Sequence, residues 1–163
     1  MLRKIEGNRP GLELVTVLSS HPWEHYEDHN THFPPQEQLT YDNEIVGIIS
    51  SPDENYFNVI MKDDRRSNFD FKQKKAVEKR FDQDQIHKIF LGYYSNHVLR
   101  GIEMVDRQGK VIYRSERDVE SSHSKVEIEL RDGQRLVGIC GRSFNDSHPA
   151  AFHDLRFVIA SYE

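Results

Sequence analysis

Three short blocks of this chain occur twice, in the same order. Gly11-Leu12-Glu13-Leu14-Val15 returns as Gly101-Ile102-Glu103-Met104-Val105. Asp42-Asn43-Glu44-Ile45-Val46-Gly47-Ile48 returns as Asp132-Gly133-Gln134-Arg135-Leu136-Val137-Gly138-Ile139. The spacings agree, at 90 residues from Gly11 to Gly101 and 91 from Gly47 to Gly138. Tyr56-Phe57-Asn58-Val59-Ile60 then answers Leu155-Arg156-Phe157-Val158-Ile159, after a longer loop in the second copy. Ordered blocks at a matched spacing point to one supersecondary unit used twice. The repeat predicts that residues 39–61 and 128–160 form equivalent strand pairs. It constrains architecture and carries no chemistry.

The units themselves read as strands. Residues 12–18 and 45–49 are runs of apolar and β-branched residues bounded by turn formers. Val126, Ile128 and Leu130 alternate with Glu127 and Glu129, the mark of a half-buried strand. On residues 86–93 both alternating faces carry apolar side chains, as in a sandwich or barrel wall. Asp106-Arg107-Gln108-Gly109 and Arg131-Asp132-Gly133 read as hairpin turns. Gly47 and Gly138 interrupt apolar strands, which marks a bulge or the close approach of another backbone. Residues 62–85 differ. They hold charge runs around Phe69, Phe71, Val77 and Phe81, with only weak helical amphipathicity over 71–81; an edge hairpin fits as well. The expectation is a single all-β domain over 1–163, a Greek-key sandwich or β-prism-like fold of two related units. The first unit is 10–61, the charged connector 62–85 and the second unit 86–160.

Composition removes several functions. A net charge of −5 argues against general nucleic-acid binding, which needs a basic surface to neutralise phosphates. No apolar run approaches the roughly 20 residues of a membrane helix, so no membrane insertion is expected. Residues 1–10 are charged and lack an apolar leader region, and the single Cys140 has no partner for an internal disulfide. Together these predict a cytoplasmic or other reducing intracellular compartment. Cys140 follows Ile139 in an apolar strand and reads as a buried, inert thiol.

The second unit resembles the Greek-key repeat of the jacalin-like β-prism lectins. The residues that carry the resemblance are Ile86-His87-Lys88-Ile89-Phe90, Arg100-Gly101-Ile102-Glu103, and Asp106 to Gly109. Ile128-Glu129-Leu130-Arg131-Asp132-Gly133-Gln134-Arg135-Leu136-Val137-Gly138-Ile139, Gly141 and Leu155-Arg156-Phe157-Val158-Ile159 complete it. The likeness is clear over 86–160 and fainter over 10–61. Such prisms hold three Greek keys, and only two are legible here. The resemblance implies a non-catalytic binding module with loop-mediated recognition of a glycan. Family members grip sugar hydroxyls with a Gly-x-x-x-Asp loop. The nearest run here is Gly141-Arg142-Ser143-Phe144-Asn145-Asp146, with the Asp one residue late and His148 beyond it.

Other residues point elsewhere. His21, His25, His29 and His32 are spaced to share a helical face, and imidazoles with nearby carboxylates suit zinc. Pro22 and Pro34-Pro35 limit such a helix to about two turns, and the His-Glu-x-x-His metalloprotease motif is absent. The alternative they support is a metal-dependent hydrolase. Trp23, the single tryptophan, fits stacking on a sugar or anchoring a protein partner. No Ser-His-Asp order, phosphate-cradling glycine loop or Cys-x-x-Cys pair is present. The chain therefore reads as a non-enzymatic binding module without a resident cofactor. Protein partners within a larger assembly are the first expectation, and a carbohydrate-binding lectin is the alternative from the resemblance. The candidate ligand-binding residues are Gly141, Arg142, Ser143, Phe144, Asn145, Asp146, His148 and Trp23.

Overall fold

The structure is a computed structural model and describes residues 2–4, 12–16, 31–34, 38, 42–51, 56–64, 77–95, 99–143 and 152–162. Among these residues the chain is all β. Its strands are β1 (Leu2–Lys4), β2 (Leu12–Thr16), β3 (Thr31–Phe33), β4 (Ile45–Ser51), β5 (Tyr56–Met61) and β6 (Val77–Arg80). A 3-10 turn, Gln83–Gln85, precedes β7 (Lys88–Tyr93), β8 (Leu99–Val105), β9 (Val111–Arg114), β10 (Ser124–Glu129), β11 (Gln134–Ser143) and β12 (Phe152–Tyr162).

The strands make three antiparallel sheets, ordered β1-β2-β12-β11-β3, β10-β7-β8-β9 and β5-β4-β6. In the second sheet three consecutive strands are followed by a fourth that returns beside the first, which is a Greek key. All three sheets contribute to one core. Ile45, Ile48 and Val59 enter it from the third sheet, Ile89, Leu91 and Ile102 from the second, and Leu136, Ile139 and Phe157 from the first. Three sheets enclosing one apolar interior make a prism, and burial of that interior is the main force holding them together.

The period-2 pattern sets which side chains turn inward. Ile89, Leu91 and Tyr93 are buried, while Lys88 on the outer face reaches Glu127 at 3.1 Å. Ile128 and Leu130 are buried as their alternation predicts, and Glu127 and Glu129 face out.

The second and third blocks of the repeat are present in three dimensions. The first is not, because residues 12–15 lie on β2 beside β12 and β1, whereas residues 102–105 lie on β8, the hairpin mate of β7. In the β4–β5 hairpin Ile45 pairs with Met61 and Gly47 with Ile60, with a bulge at Val46 between them. In the β11–β12 hairpin Leu136 pairs with Ile159 and Gly138 with Val158, with a bulge at Val137. The same irregularity falls on the same Val-Gly step in both copies. The pairing also corrects one detail: Val59 matches Phe157, so the closing blocks align one residue away from their apparent sequence match. β4 and β11 lie against each other inside the prism.

Other expectations are revised. Residues 86–160 contribute to two sheets, and Ile128 lies on β10, which pairs with β7. The Asp132-Gly133 turn does not close a hairpin. It turns a corner from the second sheet into the first, with Gly133 at φ +81° and Gln134 N–H donating to Arg131 O at 3.0 Å. A two-residue sequence signal fixes a tight turn, but whether the flanking strands pair depends on which neighbours they find. Asp106–Gly109 does close a hairpin, between β8 and β9; Asp106 accepts from Gln108 N–H at 2.9 Å and Lys110 N–H at 2.8 Å. The end of the connector is structural. Val77–Arg80 is an edge strand paired with β4, which fits the edge reading of this stretch and not the weak helical one, and residues 65–76 lie outside the described residues.

Candidate functional site

The prism has two ends with different chemistry. At one end the 3-10 turn Gln83–Gln85, the β8–β9 turn and the β10–β11 corner surround a polar groove of about 690 Å³. Beneath it lies Gln83, only 4% exposed. Its side-chain amide donates to Ile45 O at 2.8 Å and Leu136 O at 3.0 Å, and accepts from Leu136 N–H at 2.6 Å. Ile45 and Leu136 are the equivalent positions of the repeat, so one amide bridges the two related strands. Nothing local in the sequence singles out Gln83, because its role depends on two strands that meet only in the folded chain. Across the groove's rim Arg107 pairs with Asp132.

β11 is ten residues long and carries the chain away from this groove. At the far end stand Ser143 and Phe152, paired with each other, and the ends of β7 and β8. Here the connection from β9 to β10 is laid across the second sheet. Two facing glycines admit it. A Cβ on Gly92 would sit 2.0 Å from Ser122 Oγ, and one on Gly101 would sit 2.5 Å from Arg117 O. Ser115 Oγ accepts from Ile102 N–H at 2.9 Å and donates to Arg117 O at 2.7 Å. Arg100 donates to Asp118 Oδ1 at 2.9 Å, and the guanidiniums of Arg100 and Arg117 stand 6.0 and 5.9 Å from the Tyr94 ring. The Ser121 backbone N–H and the Arg100 guanidinium hold the Asp118 carboxyl at about 2, below its ordinary 3.8. No local sequence pattern marks this cluster, because Arg100 and Asp118 are 18 residues apart and meet only when the connection folds back.

The residues singled out by sequence fall as follows. Gly141, Arg142 and Ser143 form the end of β11, with Gly141 opposite Thr31 on β3, Arg142 opposite His153 and Ser143 opposite Phe152. Phe144, Asn145, Asp146 and His148 lie outside the described residues, as do Trp23, His21, His25 and His29. His32 is on β3, opposite Cys140, and not on a helix. Edge pairing with β11 wins there over the histidine spacing, and Pro34 follows the end of the strand. The shared helical face therefore does not extend to His32. No group of three metal-ligating side chains occurs among the described residues.

Two solved structures share the arrangement along nine-tenths or more of the chain. The crystal structure of Calystegia sepium agglutinin matches with a TM-score of 0.52 and 15% identity, over 91% of this chain and 97% of that one. A prostate-specific WGA16 glycoprotein lectin matches with a TM-score of 0.51 and 14% identity, over 100% of both chains. The chain has the jacalin-like β-prism fold. No protein-family model matches the sequence of this prism. No curated protein matches it either. In the prism, the end holding Ser143 and Phe152 is where the longer loop of the repeat, 144–151, begins and ends.

Proposed function

We propose that this β-prism is a non-catalytic carbohydrate-binding module. One observation carries the reading: the chain matches an agglutinin and a lectin over nearly their entire lengths. The whole of this chain is thus accounted for by a fold found in proteins so named. The core is filled by side chains from all three sheets, which leaves recognition to the ends of the prism.

The binding element in this proposal is the 141–148 run, which begins on the last residues of β11. It supplies donors and acceptors in Arg142, Ser143, Asn145, Asp146 and His148, with Phe144 as an apolar platform. A carboxylate accepts from two vicinal hydroxyls, which gives Asp146 the central role. The protein-assembly reading places a partner on the same loop. A glycan array with the intact chain separates the two. Asp146→Ala is expected to lower binding to glycans held at this end by at least about tenfold, with an unchanged melting temperature. Unchanged binding to every glycan on the array would remove the loop from the site. Absence of glycan binding, with a co-purifying protein lost on replacing the loop, would favour the assembly reading.

A further inference from the structure

The groove at the opposite end of the prism plays no part in the loop proposal. We propose that it is a second, independent binding site, for a neutral oligosaccharide of about two or three sugar units, a size that suits its 690 Å³.

Many of the polar side chains that line the groove already have partners. Arg107 and Asp132 are paired with each other, and Arg80 with Asp64 and Glu78. Asp82 and Asp106 accept from backbone N–H groups of their own turns. Gln134 accepts from Arg131 N–H at 2.7 Å and Arg135 has an interaction of its own. Of the exposed polar side chains that line the groove, Asp84, Gln85, Gln108, Lys110 and Arg131 remain, and they make no hydrogen bond or ion pair among the described residues. They come from three separate connections and stand around one concavity. Two planar amides, a carboxylate and two cationic donors within such a space match a ligand that presents hydroxyls as both donors and acceptors.

The charge balance narrows the class. Five basic and four acidic side chains line the groove, so neither a polyanion nor a polycation gains from the net field. The floor narrows it further. Ile86 and Leu130 are buried, and Val111, 38% exposed, offers a shallow apolar patch. A peptide partner needs a deep apolar pocket for an anchoring side chain, which the described residues of the groove do not form. A sugar ring needs only a small apolar surface for its C–H face. Gln83 beneath the groove, fully hydrogen-bonded to β4 and β11, makes the floor rigid, so little ordering cost opposes binding. β11 spans the distance between the two ends, roughly 30 Å at the usual rise per residue. One chain would then hold two saccharides at opposite ends and bridge them without oligomerising.

The test is site-resolved. The isotopically labelled full chain is titrated with three neutral trisaccharides (maltotriose, mannotriose and chitotriose) and followed by amide NMR. At least one is expected to give saturable shifts at the amides of residues 83–86, 107–110 and 131–134, with about millimolar affinity. Those shifts persist in Asp146→Ala, so failure of the loop proposal leaves this one standing. They are lost in the double variant Asp84→Ala/Arg131→Ala, both exposed positions, with melting temperature as the control for folding. If that variant is unstable, Gln85→Ala/Gln108→Ala serves in its place. No saturable shift at these amides with any of the three, or shifts that survive the groove variants, would overturn the proposal.

Discussion

Asp118 shows how a connection between strands becomes part of the structure. The Ser121 N–H and the Arg100 guanidinium both favour its charged form. The folded-state value is depressed, so the carboxylate stabilises the fold above pH 3.8, and this contribution disappears as pH falls towards about 2. Its side chain is exposed, so the effect is screened by salt. Asp118→Asn is expected to flatten the loss of stability between pH 3.8 and about 2. Acid titrations of both proteins, followed by circular dichroism, check this; superimposable acid limbs would show that the carboxylate contributes nothing to the fold.

At the scale of elements, the repeated bulge deserves its glycine. In β4 a Cβ on Gly47 would meet Lys79 O of β6 at 2.9 Å and Ile60 Cδ1 at 3.2 Å. The bulged Val46 turns its carbonyl to the chain beyond β6, where Phe81 N–H donates at 2.9 Å. The glycine thus lets β6 close the third sheet against β4. Gly47→Val forces this contact apart and is expected to cost on the order of 1–3 kcal/mol. Thermal melting measures it, and an unchanged midpoint would show that β6 yields without cost. The Val-Gly block was legible as a strand, and the glycine as a bulge or close approach. That it is both follows from where β6 lands, which no local pattern encodes.

At the scale of the whole molecule, the weak point of a prism is the seam between sheets, where backbone groups at strand starts can be left unpaired. Gln83 closes the seam between the first and third sheets with three hydrogen bonds to backbone. Gln83→Ala leaves the Leu136 N–H and two carbonyls to find other partners in a buried place, a loss of about 3 kcal/mol. Denaturant unfolding checks the magnitude. Retention of wild-type stability would mean that water replaces the amide fully.

The sequence by itself determined the β class, the matched hairpins of β4–β5 and β11–β12, and the inward face of β10. These rest on period-2 alternation and turn chemistry, which act between near neighbours. It also carried the resemblance to the β-prism, through residues that encode turns and packing. The tertiary structure alone decided that Asp132-Gly133 turns a corner between sheets, that Val77–Arg80 joins β4, and that His32 lies on an edge strand. It alone assembled Gln83 with Ile45 and Leu136, Arg100 with Asp118, and three connections into one groove. The physical reason is common to all of these. Local preferences fix what a segment can form, whereas pairing partners and shared cavities are chosen by burial and hydrogen bonding between segments far apart in the chain.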